Sequence, residues 1–232
     1  MILLTGGSGV LGREILKLRP DIYAPSSKEF NILEPRFQNG IDLIVHAAAY
    51  TNVDKAEINR DECYNLNVIG TRNLSRLGVP MIYISTDSVF SGETGNYNEK
   101  DIPYPKNFYS LTKLLGEHEL EDYSVIIRTA FRQSPWKYEY ASTNRYSSAE
   151  YVEDIAKKIV KAIDLFENLP RVIHIGGPRL SHYQLAKMST PKIRPVHESF
   201  FINRPVDVSL DCSLWNEILQ ADEMRSHENM LR

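Results

Sequence analysis

Thr5-Gly6-Gly7-Ser8-Gly9-Val10-Leu11-Gly12-Arg13 is the stretch that decides the fold. It follows the apolar run 2–4 and opens a segment, 10–18, in which Leu11, Ile15 and Leu18 recur on one helical face. Glycines at a strand-to-helix turn let the backbone bend tightly and bring free helix N–H groups against a pyrophosphate, where the helix dipole also favours an anion. The spacing reads as Gly7-x-Gly9-x-x-Gly12 or as Gly6-x-x-Gly9-x-x-Gly12. Alone, such a triplet says little. At the first strand-to-helix turn of a parallel sheet it points to dinucleotide binding. The competing account is glycines that serve only helix–sheet packing.

Outward from that turn, short apolar runs at 22–24, 42–49, 79–84, 125–128 and 172–175 alternate with helical patterns at 57–77, 108–122 and 149–166. Strands apolar on both faces and separated by helices predict a parallel sheet covered on both sides, an α/β doubly wound, Rossmann-like fold. Residues 90–107 and 133–148 read as loops, and 178–232 as short helices with proline turns. We expect a dinucleotide-binding core over 1–129. Residues 130–232 are expected to complete that core and form a small, shortened substrate lobe, the whole being one compact unit.

Length and composition set outer bounds. With 232 residues, 42% hydrophobic and 25% charged, the chain has the makings of one globular domain. A net charge of -3 gives no clustered cationic surface for nucleic acid. No apolar run is long enough to span a bilayer and no secretory leader is legible, so a cytoplasmic enzyme is expected. Two cysteines and six scattered histidines suggest no metal site.

Two further groups of residues carry chemistry. The run 22–24 ends without a carboxylate, at Ala24-Pro25-Ser26-Ser27-Lys28. Hydroxyls and a lysine there would accept a 2′-phosphate, which favours NADP(H) and leaves NAD(H) as the second choice; a plain solvated turn has the same composition. Tyr109 and Lys113 stand four apart on a predicted helix and share one face. An ammonium beside a phenol lowers its pKa toward the range of efficient proton transfer, and Thr86, ending the run that begins at Val79, can bond the same substrate oxygen. Taken singly, Tyr109 and Lys113 make an ordinary helix-surface pair.

In this order the motifs resemble those of the extended short-chain dehydrogenase/reductases, and among them the dTDP-4-dehydrorhamnose reductases. The likeness rests on TGGSGVLGR (5–13), HAAAYTNVDKAE (46–57), NVIGTRNL (67–74), ISTDSVFSG (84–92), NFYSLTKLLGE (107–117), IIRT (126–129), YVEDIA (151–156), IHIGGP (173–178) and RPVDVSLD (204–211). It is dense up to Thr129 and sparse beyond. The resemblance implies that Gly6, Gly9 and Gly12, with Val10 and Leu11 between them, carry the cofactor pyrophosphate. It implies that Ala47, Ala48 and Ala49 line the adenosine side, that Asn31 and Ile32 meet the adenine, and that Asn67 stands near the active site. Thr86, Tyr109 and Lys113 would be the catalytic set: Tyr109 protonates the sugar oxyanion as hydride arrives, while Lys113 also holds the nicotinamide ribose.

The implied activity is reduction of a nucleotide-linked 4-keto-6-deoxy sugar in polysaccharide biosynthesis, and the resemblance allows a homodimer. The departures count as well. Ser88 stands where these reductases usually carry tyrosine and related dehydratases carry glutamate, so elimination chemistry is disfavoured. Only 131–148 remains where a longer helical insertion is expected. An epimerase of the same family is one alternative. Another is a non-catalytic, cofactor-binding subunit, against which the presence of both Tyr109 and Lys113 speaks. Trp136, Tyr138, Tyr140 and Tyr146 either stack on a substrate base or cover an apolar edge, and Arg128 and Arg132 either clamp a diphosphate or form ion pairs.

Overall fold

The computed structural model describes residues 1–36, 39–198 and 205–230. Its centre is a parallel sheet of β1 (Ile2–Thr5), β2 (Leu43–His46), β3 (Met81–Thr86), β4 (Val125–Thr129) and β5 (Val172–Ile175), hydrogen-bonded in that order. On the free side of β1, Tyr23 bridges Leu3 in parallel, so the run 22–24 lies beside β1. The strand order therefore reverses at β1, and the glycine turn stands at its carboxyl end. In open α/β sheets that crevice is where ligands bind.

The strands read as continuous apolar runs because both faces are covered. Alternate residues serve opposite cores. Leu4, Val45, Ile82, Ile84 and Ile127 meet α1 (Val10–Leu18), and on the same face lie Ile155 and Ile159 of a helix over Val152–Asp164 and Trp215 of one over Ser213–Met230. Leu3, Ile44, Met81, Tyr83 and Ile126 pack with Phe30, Ile32 and Leu74 on the other face.

Between β2 and β3 a single helix over 57–77 is expected, and the chain instead forms pieces. These are α2 (Val53–Ala56), α3 (Arg60–Tyr64), a π-helical turn (Asn65–Ile69) and α4 (Gly70–Ser75). The widened turn carries Asn67, whose carboxamide is fully engaged across to other elements, and α4 starts on Gly70, where a Cβ would stand 2.7 Å from the Ile32 side chain. Next come α5 (Phe108–His118), α6 (Val152–Asp164), α7 (His182–Ser189) and α8 (Ser213–Met230). The last is a correction to the short helices expected after 178. Leu214, Trp215, Ile218 and Leu219 pack on the core, and most of the later residues are exposed, so apolar periodicity fades after two turns.

Beyond β4 the chain makes short paired strands: 131–132 with 150–151, 140–142 with 194–196, and 146–147 with 180–181. The expected loop over 133–148 is thus partly strand, held by backbone bonds to distant partners that its own pattern does not show. Trp136, Ala141, Ala149, Leu185, Ala186 and Ile193 form a small separate core there. No helix among the described residues is long and apolar enough to cross a membrane.

Candidate active site

The glycine turn closes on itself and on β2. Gly9 N–H donates to the Gly6 carbonyl at 2.9 Å and Arg13 N–H to Gly9 at 3.1 Å, which starts α1 with Gly9 as its N-cap. Gly6 has a φ of +78°, and a Cβ on it would stand 2.6 Å from Ala48 N. On Gly12 a Cβ would collide with the Gly6 carbonyl. The turn therefore presses against the backbone of Ala47 and Ala48 and leaves a shallow backbone-walled cradle at the start of α1, where no acidic side chain stands in the first turn. That is the shape and charge a pyrophosphate needs, and the residues fit a dinucleotide.

The remaining cofactor candidates divide. Ala49 follows Ala48 at the rim, half-buried. Ser26, Ser27 and Lys28 are exposed beyond the strand-like run 22–24. Asn31 is exposed, with its Oδ1 accepting from Leu33 N–H at 3.0 Å. Ile32 is buried in the core against α4, and its carbonyl accepts from Asn73. Val10 is half-buried and Leu11 lies in the core.

Thr86, Tyr109 and Lys113 come together at the carboxyl end of β3. The Thr86 hydroxyl stands close enough to the Tyr109 phenol to pull its pKa down, against the stronger influences that raise it. Thr86 Oγ1 donates to Asp87 Oδ1 at 3.2 Å and accepts from Ser88 N–H at 3.2 Å. Lys113, 2% exposed, donates from Nζ to the Ile84 carbonyl at 2.8 Å and lies 3.9 Å from the centroid of the Tyr83 ring. Burial drops its pKa to about 7, with Glu117 pulling it back up.

The phenol departs from expectation. Burial foremost, then the Asp87 carboxylate, raise the Tyr109 pKa above the ordinary phenol value. The ammonium does not offset this, because it is directed at Ile84 and Tyr83. Tyr109 is thus held as a neutral O–H, the form that can give a proton.

Asn67 ties the loop after β2 to α5. Its Oδ1 accepts from Tyr50 N–H at 2.8 Å, and its Nδ2 donates to the Tyr50 carbonyl at 3.1 Å and to Thr112 Oγ1 at 2.9 Å. Thr112 in turn donates to the Tyr109 carbonyl at 2.7 Å, so the carboxamide fixes α5 at the turn that carries the phenol.

Sequence reasoning missed two groups. Asp87 is buried, accepts from Thr86 and Ser88 hydroxyls, and has its pKa raised to about 6 by burial, with Arg132 opposing. Its place next to Thr86 was the available signal. Glu117, four residues past Lys113, accepts from Ser85 Oγ at 2.5 Å and pairs with Arg128 Nη2 at 2.8 Å and Nε at 3.1 Å. Arg128 is therefore neither a diphosphate clamp nor a surface ion pair, because β4 carries it into the interior. Arg132 is half-buried and its Nη2 lies 3.4 Å from His182 Nε2. Trp136 packs in the small second core, Tyr138 and Tyr140 are exposed, and Arg179 lies 3.7 Å over the Tyr146 ring.

Residues 1–145 match the RmlD substrate binding domain family. The chain belongs to that family. Its likeness extends to the spore coat polysaccharide biosynthesis protein SpsK of Bacillus subtilis (strain 168), at 29% identity over 224 residues, 80% of this chain and 76% of that protein. A dTDP-4-dehydrorhamnose reductase of Aggregatibacter actinomycetemcomitans is 34% identical over 149 residues, 56% of this chain and 51% of the reductase, so the match spans about half the length of that relative. The methionine adenosyltransferase 2 subunit beta of Bos taurus is 26% identical over 270 residues, covering 91% of this chain and 80% of that subunit.

Among solved structures, a hypothetical dTDP-4-dehydrorhamnose reductase from Sulfolobus tokodaii superposes with a TM-score of 0.79 at 31% identity, covering 94% of each chain. The dTDP-4-dehydrorhamnose reductase of Bacillus anthracis str. Ames, solved in complex with NADP, gives 0.78 at 26% identity, over 93% of this chain and 90% of that one. These RmlD-family relatives support an oxidoreductase with a nicotinamide cofactor.

Proposed function

We propose that this RmlD-family chain is an NAD(P)H-dependent reductase of a nucleotide-linked 4-keto-6-deoxy sugar. The observation that carries the reading is the gathering of Thr86, Tyr109 and the buried Lys113 at the carboxyl end of β3, on the same edge of the sheet as the glycine turn. A keto oxygen seated beside the Thr86 and Tyr109 hydroxyls would meet the phenol O–H, and the Thr86 O–H once its hydrogen turns away from Asp87, as charge develops on reduction. Tyr109, kept neutral by burial and by Asp87, gives its proton to that oxygen.

The cofactor supplies the hydride. Gly6, Gly9 and Gly12 would hold its pyrophosphate and Ala47–Ala49 would line its adenosine side, while Lys113 would hold its nicotinamide ribose. Ser26, Ser27 and Lys28 would meet a 2′-phosphate, the sequence's reason for favouring NADPH. Ser88 brings no carboxylate to the pocket, so the site reduces rather than eliminates.

The deciding experiment follows nicotinamide absorbance with the purified protein and a dTDP-linked 4-keto-6-deoxyhexose, in NADPH and in NADH. Oxidation is expected, with Tyr109→Phe slower by about 10²–10⁴-fold. Cofactor that binds and is never oxidised across a panel of such keto-sugars would sink this reading. The non-catalytic subunit, which the likeness to the methionine adenosyltransferase subunit favours, would then take its place.

A further inference from the structure

His46 ends β2, is buried and takes no part in the chemistry above, yet both of its ring nitrogens are engaged. Nδ1 lies 2.7 Å from Thr5 Oγ1, and Nε2 lies 3.1 Å from Thr71 Oγ1. Burial, with the Lys113 ammonium adding to it, drops the ring pKa to about 3, so the ring is neutral and carries one hydrogen. The far end of the chain of bonds says where that hydrogen is. Thr71 Oγ1 donates to the Asn67 carbonyl at 2.8 Å, and a carbonyl only accepts, so the hydroxyl's single hydrogen is committed. Thr71 must therefore accept from His46, which places the ring hydrogen on Nε2. Nδ1 is then bare, and Thr5 donates to it. The Thr5 oxygen is left to accept the Ala48 N–H at 3.4 Å, while the Thr5 carbonyl takes the Ala47 N–H at 3.2 Å. Ala47 and Ala48 are the backbone against which Gly6 presses.

We infer that His46 is a positioning residue: through this one-way chain it holds the glycine turn and α5 in a fixed relation, so that dinucleotide binding and the placement of the Tyr109 phenol are coupled. The inference rests on the dinucleotide reading above. At one end the chain reaches Ala48 and the turn. At the other it reaches Asn67, whose carboxamide continues to Thr112 Oγ1 at 2.9 Å, and Thr112 donates to the Tyr109 carbonyl at 2.7 Å. Thr5, Thr71 and Thr112 are all buried, so water offers no substitute partner for a bond that is lost. Moving the ring hydrogen to Nδ1 would force Thr71 to leave the Asn67 carbonyl and would strip Thr5 of its acceptor, so the two ends change together. A histidine that merely filled the core makes no such demand. Coupling is reciprocal, and a break near α5 must therefore weaken the hold on a dinucleotide at the turn.

The test is equilibrium binding of NADH and NADPH, read by nicotinamide fluorescence, to the wild-type chain, Thr71→Val, Thr71→Ser and His46→Gln. Thr71→Val keeps the side chain's shape and removes both bonds, and it should weaken binding of the cofactor that wild type prefers by about fivefold, the scale of one buried hydrogen bond. Thr71→Ser keeps the hydroxyl and should bind as wild type does. His46→Gln cannot serve Thr5 and Thr71 at once and should follow Thr71→Val. Nitrogen NMR of wild-type His46 needs no substitution: the hydrogen is expected on Nε2, and the Nδ1 resonance should move when the cofactor binds. An Nδ1–H tautomer, an Nδ1 resonance that ignores bound cofactor, affinity unchanged in folded Thr71→Val and His46→Gln, or equal loss in Thr71→Ser and Thr71→Val overturns the role of His46 while leaving a dinucleotide enzyme. Failure of wild type to bind either cofactor overturns both readings together.

Discussion

Lys113 shows what burial does to a single charge. In the unfolded chain its pKa is that of an ordinary lysine, and in the fold it drops to about 7. Between these values the unfolded state binds more protons than the folded state, so stability rises with pH. The buried thiols, whose pKa values are raised from 9.0, begin to oppose this above about 9. The clean window is pH 7 to 9. Urea unfolding of the wild type should show stability climbing there, by up to about 1.4 kcal/mol per pH unit, and Lys113→Met should remove that climb. An equal slope in the mutant would refute this.

Asp87 has the opposite character. Its pKa is raised to about 6, so its carboxylate charges only near neutrality and then holds the Tyr109 phenol up. In Asp87→Asn the phenol loses that neighbour. The basic limb of the pH–rate profile is expected to move to lower pH, a shift that simple loss of folding would not produce. Lys113 and Tyr109 were legible by their spacing, whereas their protonation states were not. Those depend on Ile84, Tyr83 and Asp87, which reach them only through the fold.

At the level of elements, the strands were the most legible part, because burial on both faces leaves an unbroken apolar run that needs no partner to be recognised. The segment 57–77 was not. Its apolar spacing suits one helix, but Asn67 satisfies its carboxamide on Tyr50 and Thr112, and the helix widens by a π-turn to place it. Charged residues misled in the same way. Arg128 and Glu117 look like surface residues in sequence, yet their side chains are 6% and 4% exposed and join β4 to α5 one turn beyond Lys113. Removing one partner strands the other's charge. Glu117→Ala is therefore expected to lower unfolding free energy by about 3–5 kcal/mol, measured by denaturant titration. A loss under 1 kcal/mol would show that water reaches the pair.

For the molecule as a whole, legibility falls along the chain. Through β4 the strands pair in chain order, each with the next, and the alternation declares itself. Beyond it, the short strands pass over their sequence neighbours to find partners, and their pairing cannot be read locally. Trp215 illustrates this: it is 1% exposed at the start of α8 and joins the core under β5, although the sequence around it suggested only short helices. Trp215→Ala should cost about 3–5 kcal/mol of stability, seen as an earlier unfolding midpoint with the fold's helical signal intact below it. Arg204, part of the motif 204–211, lies outside the described residues.

The loop that follows the Thr86 strand is stitched to that late stretch: Tyr97 N–H donates to the Ser209 carbonyl, Asp211 N–H to Tyr97, and Asn96 N–H to Ser209 Oγ. Asn96 and Ser209 are 113 residues apart in the chain. On a ribosome adding about 5–20 residues per second, the stitch is made roughly 6–23 s after its first half is synthesised. Through that interval the nascent chain carries its glycine turn and Tyr109 without the clasp, which closes only once Ser209 has been made.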